Sequence, residues 1–106
     1  MKIPPNAPIA REKLTQYLLV LQLKNDKSLF LAKAGFTQEN PDVLERAIRQ
    51  QLVEHEAAQD RIDEYGVHFI VTGMLRGTIT LAVITVWIYE PVLENFRFIM
   101  LKPFKE

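Results

Sequence analysis

The apolar positions of this chain keep a helical period over the first half and a strand period over the second. Between Ala10 and Leu23, the residues Leu14, Tyr17, Leu18 and Leu21 recur at i, i+3, i+4 and i+7, the spacing of one helix face. Leu19, Val20 and Leu23 widen that arc, which predicts a heavily buried helix. A second, short helix is expected from Lys27 to about Ala34, capped by Asn25 or Asp26, with Gly35 in the left-handed C′ position. Phe36 would then pack back on Leu31, as in a Schellman ending. Asn40-Pro41-Asp42 begins a third helix. Asn40 caps it, Pro41 takes the first helical position where its missing N–H costs nothing, and Asp42 faces the positive dipole end. Its buried stripe is Val43, Leu44, Ala47, Ile48, Gln51 and Leu52, with His55 next in line. Arg46, Arg49, Gln50 and Glu54 form its wet side, and the helix should fade between His55 and Gln59.

From there the period is two. Arg61 to Glu64 begins a strand, and Tyr65-Gly66 reads as a bulge or tight bend. Val67 to Leu75 alternates Val67, Phe69 and Val71 against His68, Ile70 and Thr72, and Gly73 suggests a bulge or a close backbone approach. Arg76-Gly77 supports a short hairpin turn into a strand over 78–89. Pro91 stops that strand, Glu94-Asn95 turns the chain, and Phe96 to Lys102 forms the last strand. Helices followed by hairpin-connected strands imply an α+β fold in a single domain over residues 1–106. Two to three N-terminal helices would pack on one face of a three- to four-stranded antiparallel sheet. Within the strand over 78–89, the uniformly apolar row of Ala82, Ile84, Val86 and Ile88 is expected under the helices. The mixed row of Leu81, Val83, Thr85, Trp87 and Tyr89 would then occupy the open face.

Composition narrows the function classes. The hydrophobic fraction of 48% and charged fraction of 25% are ordinary for a folded domain. Cysteine is absent, which removes disulfides and thiol nucleophiles and fits a reducing, cytoplasmic setting. MKIPPNAPIA has no apolar h-region, so no signal peptide is expected, and no apolar stretch is long enough to span a bilayer. The net charge of zero disfavours a strong nucleic-acid binder. Its distribution is uneven, however: residues 1–36 carry six Lys/Arg against two acidic residues, and residues 37–60 carry two against six. Two segments that neutralise each other would account for this, and so would a local basic face.

The segments KLTQYLL, KSLFLAKAGF, YGVHFIVTGMLRG, TVWI and RFIMLKP occur here in that order. They resemble a family of small bacterial, often cyanobacterial, domains of unknown function with K-L-x-x-Y-L-L, K-x-x-F-F-x-x-L-G-F, Y-G-x-x-F-x-V-x-G-x-L-x-G, T-V-W-I and R-F-V-T-L motifs. That family is similar to C-terminal toxin-like domains of polymorphic toxins and to small proteins in toxin–antitoxin-like pairs. The resemblance covers nearly the whole chain, but its motifs are mostly core and turn residues. By fold analogy it implies a metal-independent ribonuclease of the barnase/EndoU/colicin type, and fold alone does not carry function. Two features of many members are missing. The loop like N-P-x-H-P-x-G is replaced by VLQLKND, and the Arg preceding T-V-W is replaced by Val83 or Ile84. Lys27, Tyr65, Trp87 and Arg97 stand at matching positions.

Metal-independent RNA cleavage needs a base, an acid and a cation for the phosphate. The candidates are His68 as base or acid, and Lys27 and Arg97 as cations. Lys27 sits at a helix start, where a cation opposes the dipole, so a role in holding phosphate is one reading and plain solvation the other. Arg97 would otherwise pair across strands with Glu90 or Glu94, and His55 is a half-buried helix-end residue. Tyr65, Thr85, Trp87 and Tyr89 are the candidate binding residues, the last three as aromatic and polar anchors on the open face. No metal-ligand spacing, phosphate loop or nucleophile motif is present, so no metal or cofactor is expected. The missing His, Gly and Arg favour a degenerate or binding role over an active enzyme. Its partner would be a cognate protein or a second copy on the Trp87 face, with RNA as the alternative and no membrane involved.

Overall fold

The computed structural model describes residues 1–23 and 26–105. A π-helical turn, Lys13–Leu18, is followed by α1 (Ser28–Ala32) and α2 (Pro41–Glu54). Four strands then run β1 (Ala57–Asp63), β2 (Gly66–Arg76), β3 (Thr80–Glu90) and β4 (Asn95–Pro103). They form one antiparallel meander in the order β1-β2-β3-β4, with the helices preceding it in sequence. The fold is α+β, as expected.

Each helix shows how local sequence is adjusted by packing. The first is shorter than its periodicity suggests. Leu19 N–H bonds to Leu14 O, five residues back, which widens the turn. Burial therefore falls on Leu14, Leu18 and Leu19, spaced by four and five, while Tyr17 and Leu21 are exposed. In α1 the C-terminus closes as predicted. Phe36 N–H bonds Leu31 O, Gly35 N–H bonds Ala32 O, and Gly35 takes φ +85°. At its start, Asp26 accepts from the Ser28 hydroxyl at 2.8 Å and from Gln22 N–H at 3.0 Å; Asn25, the alternative cap, lies outside the described residues. In α2, Pro41 and Asp42 stand where expected. The Asn40 side chain, however, turns away from the helix, taking Thr37 N–H and donating to Gly35 O, so it fastens the α1–α2 connection instead. The stripe of Leu44, Ala47, Ile48, Gln51 and Leu52 is buried against the sheet.

The N-terminal lead-in is a strap along α2. Met1 O accepts from Ala57 N–H, Lys2 Nζ reaches Val53 O, and the Arg49 guanidinium holds Pro5 O and Ala7 O, each at 2.8 Å. Arg11 then pairs with Asp42, and Pro8 O accepts from Phe98 N–H at the β4 edge. Ile3 and Ala7 are buried along this route. Both edge strands are thus met by one backbone bond from the same strap, which blunts edges that would otherwise be free to pair.

One expectation is reversed. The row of Leu81, Val83, Thr85 and Trp87 lies under the helices and is buried, with Tyr89 half-buried at its end; Ala82, Ile84, Val86 and Ile88 face away. Register explains it. The hairpin loop is Gly77–Ile79, so Arg76 pairs with Thr80 and Val71 with Thr85. A loop on Arg76-Gly77 alone would shift the pairing by an odd number of residues and put the other row inside, because strand side chains alternate faces.

Candidate functional site

Thr85 and Trp87 are structural residues of the core. The Thr85 hydroxyl donates to Gln51 Oε1 at 2.7 Å and accepts from Trp87 Nε1–H at 2.9 Å. Gln51 Nε2 donates to Val71 O at 3.2 Å. All three side chains are fully buried, and among the described residues no buried side-chain nitrogen or oxygen lacks a partner. This chain of hydrogen bonds ties α2 to β2 and β3 and explains why a mixed row can serve as a core row. Gln51 was placed on the buried stripe by its spacing; that it bonds Thr85 was not visible in the sequence. Trp87 also packs edge-to-face on Phe98, and Tyr89 tilts against Phe96 at 4.9 Å between centroids. None of Thr85, Trp87 or Tyr89 is on the open face, which corrects the aromatic surface expected there.

The open face is read from the register as three rows across β2, β3 and β4. They are His68–Ile88–Arg97, Ile70–Val86–Met100 and Thr72–Ile84–Lys102. No helix covers it. Its centre is aliphatic, and its rim carries Met74 and Met100, both exposed. His68 and Arg97 do share this face, separated by Ile88, which places their Cα atoms roughly 10 Å apart. Each is held by a carboxylate. His68 Nε2 lies 2.9 Å from Asp63 Oδ2, and Arg97 Nε donates to Glu90 Oε1. The pairing with Glu90 is one that strand alternation anticipates. Asp63 is the partner the sequence reading missed, although its place just before the Glu64-Tyr65 turn carries it across the hairpin toward His68. The Tyr65 N–H, opposed by partial desolvation and assisted by His68, holds the Asp63 carboxyl below the usual range.

Lys27 is elsewhere. It stands at the N-cap of α1 and, with Lys13, Tyr17, Leu18, Gln22, Phe98, Ile99 and Met100, lines a cavity of about 530 Å³ between the π-helical turn and β4. Ile99 is the extra residue of a β-bulge, facing no partner on β3, so the cavity wall is formed where the strand departs from its ladder. Burial, and to a lesser degree Lys102, hold the Lys27 ammonium below the ordinary lysine range. Tyr65 is exposed at the β1–β2 turn and lines a shallower hollow of about 320 Å³ with Asp63, Glu64, Glu90 and Val92. Gly66 closes that turn at φ +144°, where any Cβ would stand 2.3 Å from Tyr89 O. Gly73, flagged for a close approach, faces the His55 ring rather than another backbone.

His68, Lys27 and Arg97 therefore do not converge. Among the described residues no group of three or more His, Asp or Glu is placed to hold a metal ion, and no helix is long and apolar enough to cross a membrane. No curated protein and no solved structure matches the chain. A family model does match, over residues 5–105, from within the N-terminal strap to just past β4. The chain belongs to the family described as Domain of unknown function (DUF6883).

Proposed function

We propose that this domain is a non-catalytic binding module, toxin–antitoxin-associated as the sequence resemblance implies, that docks a cognate protein on the open face of its sheet. The observation that carries the reading is the aliphatic column Ala82-Ile84-Val86-Ile88 of β3 on the face turned from the helices: Val86 and Ile88 are buried among their neighbours on that face, whereas Ala82 and Ile84 are half-exposed and Met74 and Met100 beside them are exposed. A face that merely meets water needs no such column, since antiparallel sheets with one wet face alternate apolar-in and polar-out. The charged groups at its His68–Arg97 edge are already matched by Asp63 and Glu90, which leaves Lys102, in the far row, as the one unpaired cation of the three rows among the described residues, too little positive charge to grip a phosphate backbone. That favours protein over RNA.

The test is co-purification with the product of the neighbouring gene, for wild type and for Ile84→Lys and Met74→Lys. Both side chains are partly exposed, so a lysine there can reach water without unfolding the domain. The expected result is a stable complex with wild type that both variants lose while keeping wild-type circular dichroism. A complex indifferent to both substitutions would show that the partner binds elsewhere. A wild-type dimer that Ile84→Lys turns into a monomer would put a second copy on this face instead.

Ribonuclease action is the competing reading, and the common row of His68 and Arg97 is what favours it. It predicts RNA cleavage that His68→Ala abolishes. The binding reading predicts that purified protein leaves RNA intact in both forms.

A further inference from the structure

We infer that the cavity between the π-helical turn and β4 is a binding site for a small organic anion with an apolar body, its carboxylate held by Lys13 and Lys27. This goes beyond the docking face, which lies on the other side of the β4 strand and shares only Met100 with the cavity. The volume of about 530 Å³ suits a small ligand, since such pockets commonly run from about 300 to 1,000 Å³. Its walls are Tyr17, Leu18, Phe98, Ile99 and Met100, and its polar groups are Lys13, Lys27 and Gln22. Among the described residues no acidic side chain lines it. A mostly apolar pocket whose charged lining groups are all of one sign is complementary to an amphipathic ligand of the opposite charge.

The pattern of ion pairing points the same way. Arg11, Arg49, Arg76 and Arg97 each hold a carboxylate, whereas Lys13, Lys27 and Lys102 make no ion pair among the described residues. Lys27 is nevertheless drawn partly out of water and set near Lys102, an arrangement that disfavours its charge and that a bound anion would relieve. Near-zero net charge thus conceals one cationic hollow, built from the basic first third of the chain and from β4. The exposed Tyr17 ring stands at this hollow, although helical spacing would have buried it. Its aromatic surface is available to the ligand body.

The experiment is an NMR titration of the full chain with octanoate, alongside 1-octanol and inorganic phosphate, repeated with Lys13→Met, Lys27→Met and Lys33→Met. Octanoate is expected to give saturable shifts at Tyr17, Ile99 and Met100. Loss of one charge-assisted bond should weaken it about tenfold or more in Lys13→Met and Lys27→Met. Lys33→Met, an exposed lysine that does not line the cavity, should bind as wild type does. Ile84→Lys should also bind normally, so failure of the docking face and failure of this site are told apart. The inference is overturned if octanoate does not saturate at millimolar concentration. It is equally overturned if Lys27→Met binds undiminished, or if octanol or phosphate alone binds as tightly as octanoate.

Discussion

Thr85 is the residue on which the interior of this protein turns. Its single hydroxyl serves Gln51 on one side and Trp87 on the other, in a fully buried space. Thr85→Val keeps the shape but leaves a buried amide oxygen and a buried indole N–H without partners. A loss of about 2–4 kcal/mol is expected, with a clearly smaller loss for Thr85→Ser, which keeps the hydroxyl. Urea denaturation followed by tryptophan emission measures this directly, because Trp87 is the only tryptophan and is fully buried. His68 is similar on a smaller scale: it was legible as an open-face residue, and its partner Asp63 was not. The difference lies in range. Alternation assigns a face from neighbours in sequence, whereas a hydrogen-bond partner depends on the register across a turn.

At the scale of elements, the β2–β3 hairpin shows how the choice of loop residues, by setting the register, decides a whole face. With Gly77–Ile79 as the connection, Phe69, Val71 and Leu75 share a side with Leu81, Val83, Thr85 and Trp87. Deleting Ala82 within β3, with the Gly77–Ile79 connection kept, should turn Trp87 outward or break the pairing, with loss of cooperative unfolding and a red-shifted emission. Inserting two residues into the Gly77–Ile79 connection keeps Arg76 opposite Thr80 and should be tolerated far better, since lengthening a loop costs little. The strap is a second element-scale case. Arg49→Ala removes its hold on Pro5 O and Ala7 O together with the Glu45 pair, for an expected loss of about 1–2 kcal/mol. Hydrogen exchange should report it as faster exchange at Phe98 N–H, whose acceptor is Pro8 O. The strap carries Pro4, Pro5 and Pro8. Prolines signal extension, and nothing local reveals that α2 lies beneath.

For the molecule as a whole, charge is arranged so that acid should unfold it. Asp26, Asp42, Glu54, Glu56 and Asp63 are all held below the ordinary carboxylate range, chiefly by hydrogen bonds from Ser28, Arg11, Arg76, the N-terminal ammonium and Tyr65 N–H respectively. A depressed native pKa means that the unfolded chain takes up protons first. The stabilisation is therefore complete above the unfolded carboxylate value near about 4 and is lost as pH falls through the lower native values. Urea midpoints should accordingly drop steeply below about pH 4, and Asp63→Asn should show a shallower drop than wild type. Period and capping signals in the sequence determined that helices come first, that the apolar segments of β2, β3 and β4 alternate as strands, and that α1 closes at Gly35, whereas β1, exposed beyond Ala57, begins where the sequence places only the fading end of α2. The first three of these are set by residues within a few positions of one another. Only the tertiary structure decided which face of β3 is core, which carboxylate His68 and Arg97 each meet, and that Lys13 and Lys27 share one hollow. Those outcomes depend on register and on packing between distant segments, and a shift of one residue reverses the first of them without changing the composition of any strand.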